Sequence, residues 1–148
     1  MNREILFRGL IKSKDGDEWE FGTPIIDPSG NWWMDIGANN PVIGYVVGDT
    51  IGQFIGITDC TKWSELSEEE QEENTSLGYT DKKWSGRKIF DGDIVLMKLD
   101  DTIIKGVIKW YAPAFYVSTG ADLWDIDEYQ WIRVIGNIHE HPHLLTEK

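Results

Sequence analysis

The sequence predicts an all-β fold, built as small, strongly bent sheets or barrel-like subdomains, with one short helix in an acidic insertion. Three observations predict it. Short apolar segments alternate with polar residues at the two-residue period of half-buried strands, as in Glu18-Trp19-Glu20-Phe21. Eight tryptophans, five tyrosines and five phenylalanines accompany 15 glycines, a mixture that favours strands and turns over helices. Residues 59–83 alone break the pattern, with a run of acids.

Taken in order, Ile5 to Ile11 is a first strand and Lys14-Asp15-Gly16-Asp17 a turn. Trp19 and Phe21 carry the second strand, which Gly22 and Pro24 end or push to an edge. Asp27-Pro28-Ser29-Gly30 is a turn sequence leading into the aromatic strand Asn31 to Ile36. Asp27, Ser29, Asn31 and Asp35 invite a calcium-loop reading, which the residue types oppose. The sixth position of such a loop needs Gly and here is Trp32; the twelfth needs Glu and here is Ala38.

Pro41 to Val47 and Gly52 to Thr58 are two further strands, separated by Gly48-Asp49-Thr50. Ile94 to Leu99 is apolar on both faces except at Lys98, the signature of a central strand. Asp100-Asp101 turns the chain, and Ile103 to Trp110 returns with Ile104, Gly106, Ile108 and Trp110 on one face. Phe115 to Val117 is a third strand in this group. Thr119 to Tyr129 is a loop with a second acidic cluster, Asp122, Asp125, Asp127 and Glu128. Trp131 to Ile138 is the last strand, with Ile132, Val134 and Ile138 turned to the core.

The helix is placed by its cap. Ser67 followed by Glu70 fits a capping box, and Glu68 and Glu69 in the first turn suit the helix dipole. The expected helix runs from Ser67 to Asn74, anchored by Trp63, Leu66, Leu77 and Tyr79. From Asp59 to Asp81 eight acids face one base, Lys62. This segment is a solvated connection or, in the sharper reading, a contact surface for a basic partner. The candidate partner-binding residues are Glu68, Glu69, Glu72 and Glu73.

Charge narrows the function. A formal net charge of −12 repels nucleic-acid phosphates and anionic membrane surfaces, while it steers basic protein partners inward. Cys60 is the single cysteine, which excludes an internal disulfide and a thiolate metal cluster. The start, MNREILFRGL, has no long apolar run, and none elsewhere approaches a membrane span.

No catalytic residue, cofactor site or metal site is assigned. His139, His141 and His143 alternate as ligands on a strand would, but Pro142 interrupts them near the C-terminus, where exposed tail histidines are expected. Asp91 and Asp93 flank Gly92 and read as a turn with Asp side chains bonding their own backbone. Trp32-Trp33, Trp110-Tyr111 and Phe115-Tyr116 suit a core or a protein interface better than a base-stacking platform, which sits in a basic groove.

Four pieces of the chain resemble the YopX family of phage and prophage proteins. They are Arg3-Glu4-Ile5-Leu6-Phe7-Arg8-Gly9 with Glu18-Trp19, the segment Ile51 to Ile57, Gly86 to Val95 (GRKIFDGDIV), and Val134 to Pro142 (VIGNIHEHP). The resemblance implies a mostly β fold over residues 1–148, a phage or prophage origin and a bacterial cytoplasmic setting. It makes 59–83 an insertion between candidate subdomains 1–58 and 84–148. It supplies no catalytic residues. The GDIV turn and GVIKW strand also resemble the opening hairpin of SH3-like barrels, a fold analogy for the C-terminal part.

The expected function is a non-enzymatic binding or regulatory β module that contacts a host or phage protein or its own copies. The alternatives are a nucleic-acid-associated protein, an acidic nucleic-acid mimic, and an enzyme using scattered carboxylates.

Overall fold

Turn chemistry and apolar alternation translate into strands almost throughout. The computed structural model describes residues 6–13, 16–35, 42–126 and 131–146. Among the described residues the chain forms ten strands, one α-helix and two short 3-10 helices, with the strands in two antiparallel five-stranded sheets. The all-β expectation is met. Arg3 to Ile5, Lys14-Asp15, Ala38, Pro41, Asp127 and Glu128 lie outside the described residues.

The first sheet holds β1 (Phe7–Ser13), β2 (Gly16–Ile26), β3 (Trp32–Asp35), β4 (Val42–Thr58) and β5 (Lys88–Phe90). β1 pairs with both β2 and β4, and β3 also pairs with both, so four strands form a closed ring. The two long strands make this closure feasible by changing partner along their length. In β2, residues up to Gly22 pair with β1, and Thr23 to Ile26 pair with β3. The strand therefore continues through Gly22 and Pro24, which mark the change of partner. Leu10, Met34 and Val46 fill the ring, with Met34 fully buried.

β4 corrects a second expectation: the two predicted segments form one strand of 17 residues. It pairs in turn with β3, β1 and β5, and each pairing contains a register shift. The supposed gap at Gly48-Asp49-Thr50 survives as such a shift. There the buried Thr50 hydroxyl accepts from Leu10 N–H at 2.8 Å and donates to Val47 C=O at 2.6 Å. A side chain supplies the bonding that the ladder loses, as buried backbone groups require.

The second sheet has the order β10-β6-β7-β8-β9. It comprises β6 (Asp93–Leu99), β7 (Thr102–Tyr111), β8 (Ala114–Ser118), β9 (Leu123–Asp125) and β10 (Ile132–Asn137). β6 is flanked on both sides, as its apolar faces require. β9 falls inside the segment expected as a loop; at three residues, it is too short to show a period. β10 carries a register shift between Val134 and Gly136, so the alternation of Ile132 and Val134 does not extend to Ile138.

The main core joins the sheets. Ile55 and Ile89 of the first sheet pack with Val95, Met97, Ile108, Val117 and Ile132 of the second, every one of them buried. At ~1.5–3 kcal/mol for each large apolar side chain removed from water, this cluster is the chief adhesive.

The helix α1 (Glu68–Ser76) is where its cap predicts, with Ser67 Oγ accepting from Glu70 N–H at 3.2 Å. The capping box is half formed, because the Glu70 carboxylate turns to Arg87 at 3.1 Å. Leu66 is buried and Trp63 and Tyr79 both pack on Trp84, but Leu77 is 72% exposed and anchors nothing.

Asp59 ties this segment to both sheets. Its buried carboxylate accepts from the backbone N–H of Thr61, Arg87 and Val134 at 2.8–3.0 Å and from the Thr61 hydroxyl. Gly86 lets Asp59 come this close. It has φ +118°, and a Cβ there would fall on the Asp59 carbonyl. Gly86→Ala is therefore expected to cost at least ~3 kcal/mol, combining positive-φ strain with a backbone clash. Urea unfolding of the two proteins measures it.

Candidate functional site

Two charged residues sit where strand patterning wants apolar ones: Arg8 in β1 and Asp93 at the start of β6. Both are buried, and they find each other across the two sheets, with Arg8 Nη2 on Asp93 Oδ1 at 2.5 Å. The Arg8 guanidinium lies between two rings, 4.5 Å from the Trp19 centroid and 4.8 Å from that of Phe90. Asp93 Oδ2 accepts the Phe90 N–H at 2.8 Å, which is the turn bond the sequence predicts. The turn reading holds, and the ion pair is added to it.

The seam continues into the C-terminal segment. Glu140 accepts from the Trp19 indole N–H and, at 3.1 Å, from Asn137 Nδ2. Asn137 Oδ1 in turn accepts from the backbone N–H of His139 and Glu140 at 3.0 and 2.9 Å. His139 lies against Trp19 at 6.2 Å and above Gly92. The expectation of three exposed tail histidines is thus corrected. His139 and His141 are partly buried, and His141 Nδ1 accepts from Asn137 N–H at 3.2 Å; His143 alone is exposed.

Electrostatics follow from burial. Loss of water raises the Asp93 carboxyl to about 6, although Arg8 and the Phe90 N–H pull the other way. Burial also raises Asp91, opposed by Arg8, His139 and Lys109. His139 is lowered, first by burial and then by Arg8. Burial works to raise Glu140, but the bonds from Trp19 and Asn137 bring it below its usual value.

Beside the seam lies an open pocket of 270 Å³ lined by Phe7, Ile51, Gln53, Asp91, Trp110 and Phe115. Asp91, between β5 and β6, belongs to both features. A second pocket of 320 Å³ is lined by residues including Asp59, Cys60, Trp63 and Trp84 at the foot of the acidic segment. The four candidate partner-binding acids, Glu68, Glu69, Glu72 and Glu73, are exposed on α1 and line neither pocket. Asp27 serves its own turn, accepting from Ser29 N–H, Asn31 N–H and Trp33 Nε1–H at 2.9 Å. Among the described residues no group of three or more His, Cys, Asp or Glu is placed to hold a metal. No described helix is long and apolar enough to cross a membrane.

The seam was missed from sequence because Arg8 and Asp93 are 85 residues apart. The available signal was a charged residue embedded in each of two apolar strands, each requiring a partner.

Removing one partner of a buried pair strands the other. Arg8→Met keeps an apolar stem between the rings and is expected to cost ~3–5 kcal/mol at pH 7. The cost should shrink near pH 4, where Asp93 is protonated and needs no counter-charge. In the wild type, Asp93 titrates at about 6 when folded, against an ordinary value of 3.8. Folding thus favours its protonated form, and its contribution to stability is full below pH 4 and lost as pH rises through 6. Denaturation of Asp93→Asn and wild type across pH 4–7 should show the steeper loss of stability with rising pH in the wild type, the slope left in the variant belonging to Asp91 and His139.

Comparison with known proteins supplies the family. No curated protein and no solved structure matches this chain. The family model described as YopX protein matches residues 31–146. Three of the four resembling pieces, with Asp93, Asn137, His139 and Glu140, fall inside that match, while Arg8 and Trp19 precede it. Covering most of the 148 residues, the match places the chain in the YopX family.

Proposed function

We propose that the chain is a non-enzymatic β module that works by binding a basic protein of the phage or of its bacterial host in the cytoplasm. One observation carries this reading. Trp110, Phe115 and Trp124 lie on the same side of the second sheet as the buried Ile108 and Val117, as their pairing shows. That side is the core side, yet Trp110 is 52% and Trp124 37% exposed. The core face runs out from under its cover and ends in solvent as an aromatic strip. Exposed tryptophans of this kind are the residues that dominate protein interfaces.

Charge selects among partners. Two copies at −12 each repel, so a basic heterologous protein is favoured over self-association. The exposed acids Glu68, Glu69, Glu72 and Glu73 on α1 add to the same field and would speed encounter more than they tighten the complex.

The test is affinity capture with the tagged full chain and with Trp124→Ser, whose half-exposed site lets the fold stand. A basic protein retained by the wild type and depleted by Trp124→Ser, with capture falling as salt rises, is the expected result. Equal capture by both proteins, or no retained protein together with a monomeric light-scattering mass, overturns the reading.

A further inference from the structure

The pocket beside the seam has a composition suited to one kind of guest. Phe7 comes from β1, Ile51 and Gln53 from β4, Asp91 from the turn before β6, Trp110 from β7 and Phe115 from β8. The Trp110 and Phe115 rings meet edge to face with centroids 5.0 Å apart, so they form a set wall. Asp91 is fixed from behind. Its N–H donates to Gln53 C=O at 2.9 Å, and a Cβ at Gly52 would lie 2.5 Å from its carbonyl oxygen.

The Asp91 carboxylate carries no ion pair among the described residues. Arg8, His139 and Lys109 act on it through space without pairing with it. Arg8 is paired with Asp93 and held between Trp19 and Phe90. His139 is held below its ordinary value, toward the neutral form. Lys109 is exposed and sits opposite Tyr116, on the other face of β7 from Trp110. Half-burial then leaves a carboxyl that ionises reluctantly and would gain from a new positive neighbour.

At 270 Å³ the pocket is smaller than sites that engulf drug-sized ligands, and fits a single side-chain head group. Aromatic faces attract cations through their negative quadrupole, and a carboxylate beside them supplies the counter-charge. We propose that this pocket receives a cationic side chain, a lysine ammonium or an arginine guanidinium, from the partner protein, stacked on Trp110 and Phe115 with its charge toward Asp91. This deepens the binding-module reading and rests on it for the origin of the guest. The aromatic strip would then provide area, and the pocket would select basic residues.

The test uses the full chain with small probes and needs no partner. Nα-acetyl-lysine methylamide and Nα-acetyl-arginine methylamide are titrated by ¹H–¹⁵N NMR, with the neutral norleucine and citrulline analogues as controls. A cationic probe should shift the Trp110 indole and the amides of Gln53 and Asp91 saturably in the millimolar range, less so at high salt. Whichever cation shifts them more identifies the guest. Asp91→Asn and Trp110→Leu should each weaken that binding about fivefold. Neutral probes binding as well as cationic ones, no shift at the pocket with either cation, or full affinity in both variants overturns the proposal. These outcomes leave affinity capture through Trp124 standing on its own, and failure of that capture leaves a cation-binding pocket intact.

Discussion

The Arg8–Asp93 pair is the constraint that the arrangement of the two sheets satisfies. An arginine buried in β1 and an aspartate buried at the head of β6 tolerate only geometries that bring them together. The two rings flanking the guanidinium reinforce that choice, since Trp19 and Phe90 arrive from β2 and β5. The pair does not hold the protein together by itself. The seven buried side chains between the sheets contribute far more, and buried ion pairs often return little net stability. An aliphatic core, however, has no strong preference among nearby registers. The ion pair does, and we assign it the role of fixing alignment.

The same logic explains why the recognisable pieces of the chain are spread so far apart in sequence. Arg8 lies in the first, Phe54 in the second, Phe90 and Asp93 in the third, and Asn137, His139 and Glu140 in the last. In the fold Phe54 packs on Phe90 at 5.8 Å, and the Asp93 side binds onward to the C-terminal segment through the Ile138 N–H to Gly92 C=O bond of 3.0 Å. The four pieces thus meet in one structural knot, and the acidic segment is moored to it through Asp59, whose carboxylate accepts from the backbone of Arg87 and Val134.

What could be read in advance divides along physical lines. Local signals worked: Ser67 caps its helix, Asp91-Gly92 turns, and Ile94 to Leu99 is a central strand. Readings failed wherever a long-range partner overrode a local preference. Pro24 and Gly48 read as breaks because propensity is counted residue by residue, whereas β2 and β4 persist by exchanging partners. Leu77 looked like an anchor from hydrophobicity alone, but no side of the fold reaches it. The pocket was beyond reach for the same reason, since its six lining residues come from five separate places in the chain.

The topology also sets an order of events during synthesis. β1 needs β4 to complete its ring, and Arg8 needs a partner 85 residues further on. At ordinary elongation speeds that interval is on the order of 10 s. Through it, the first motif leaves the ribosome with an unpaired guanidinium and an open strand edge. β2, only two residues further along the chain than β1, can pair at once and cover one edge; the other stays exposed until β4 emerges. The nascent chain thus has a window in which a chaperone or a neighbouring nascent chain competes for the place that β4 will take.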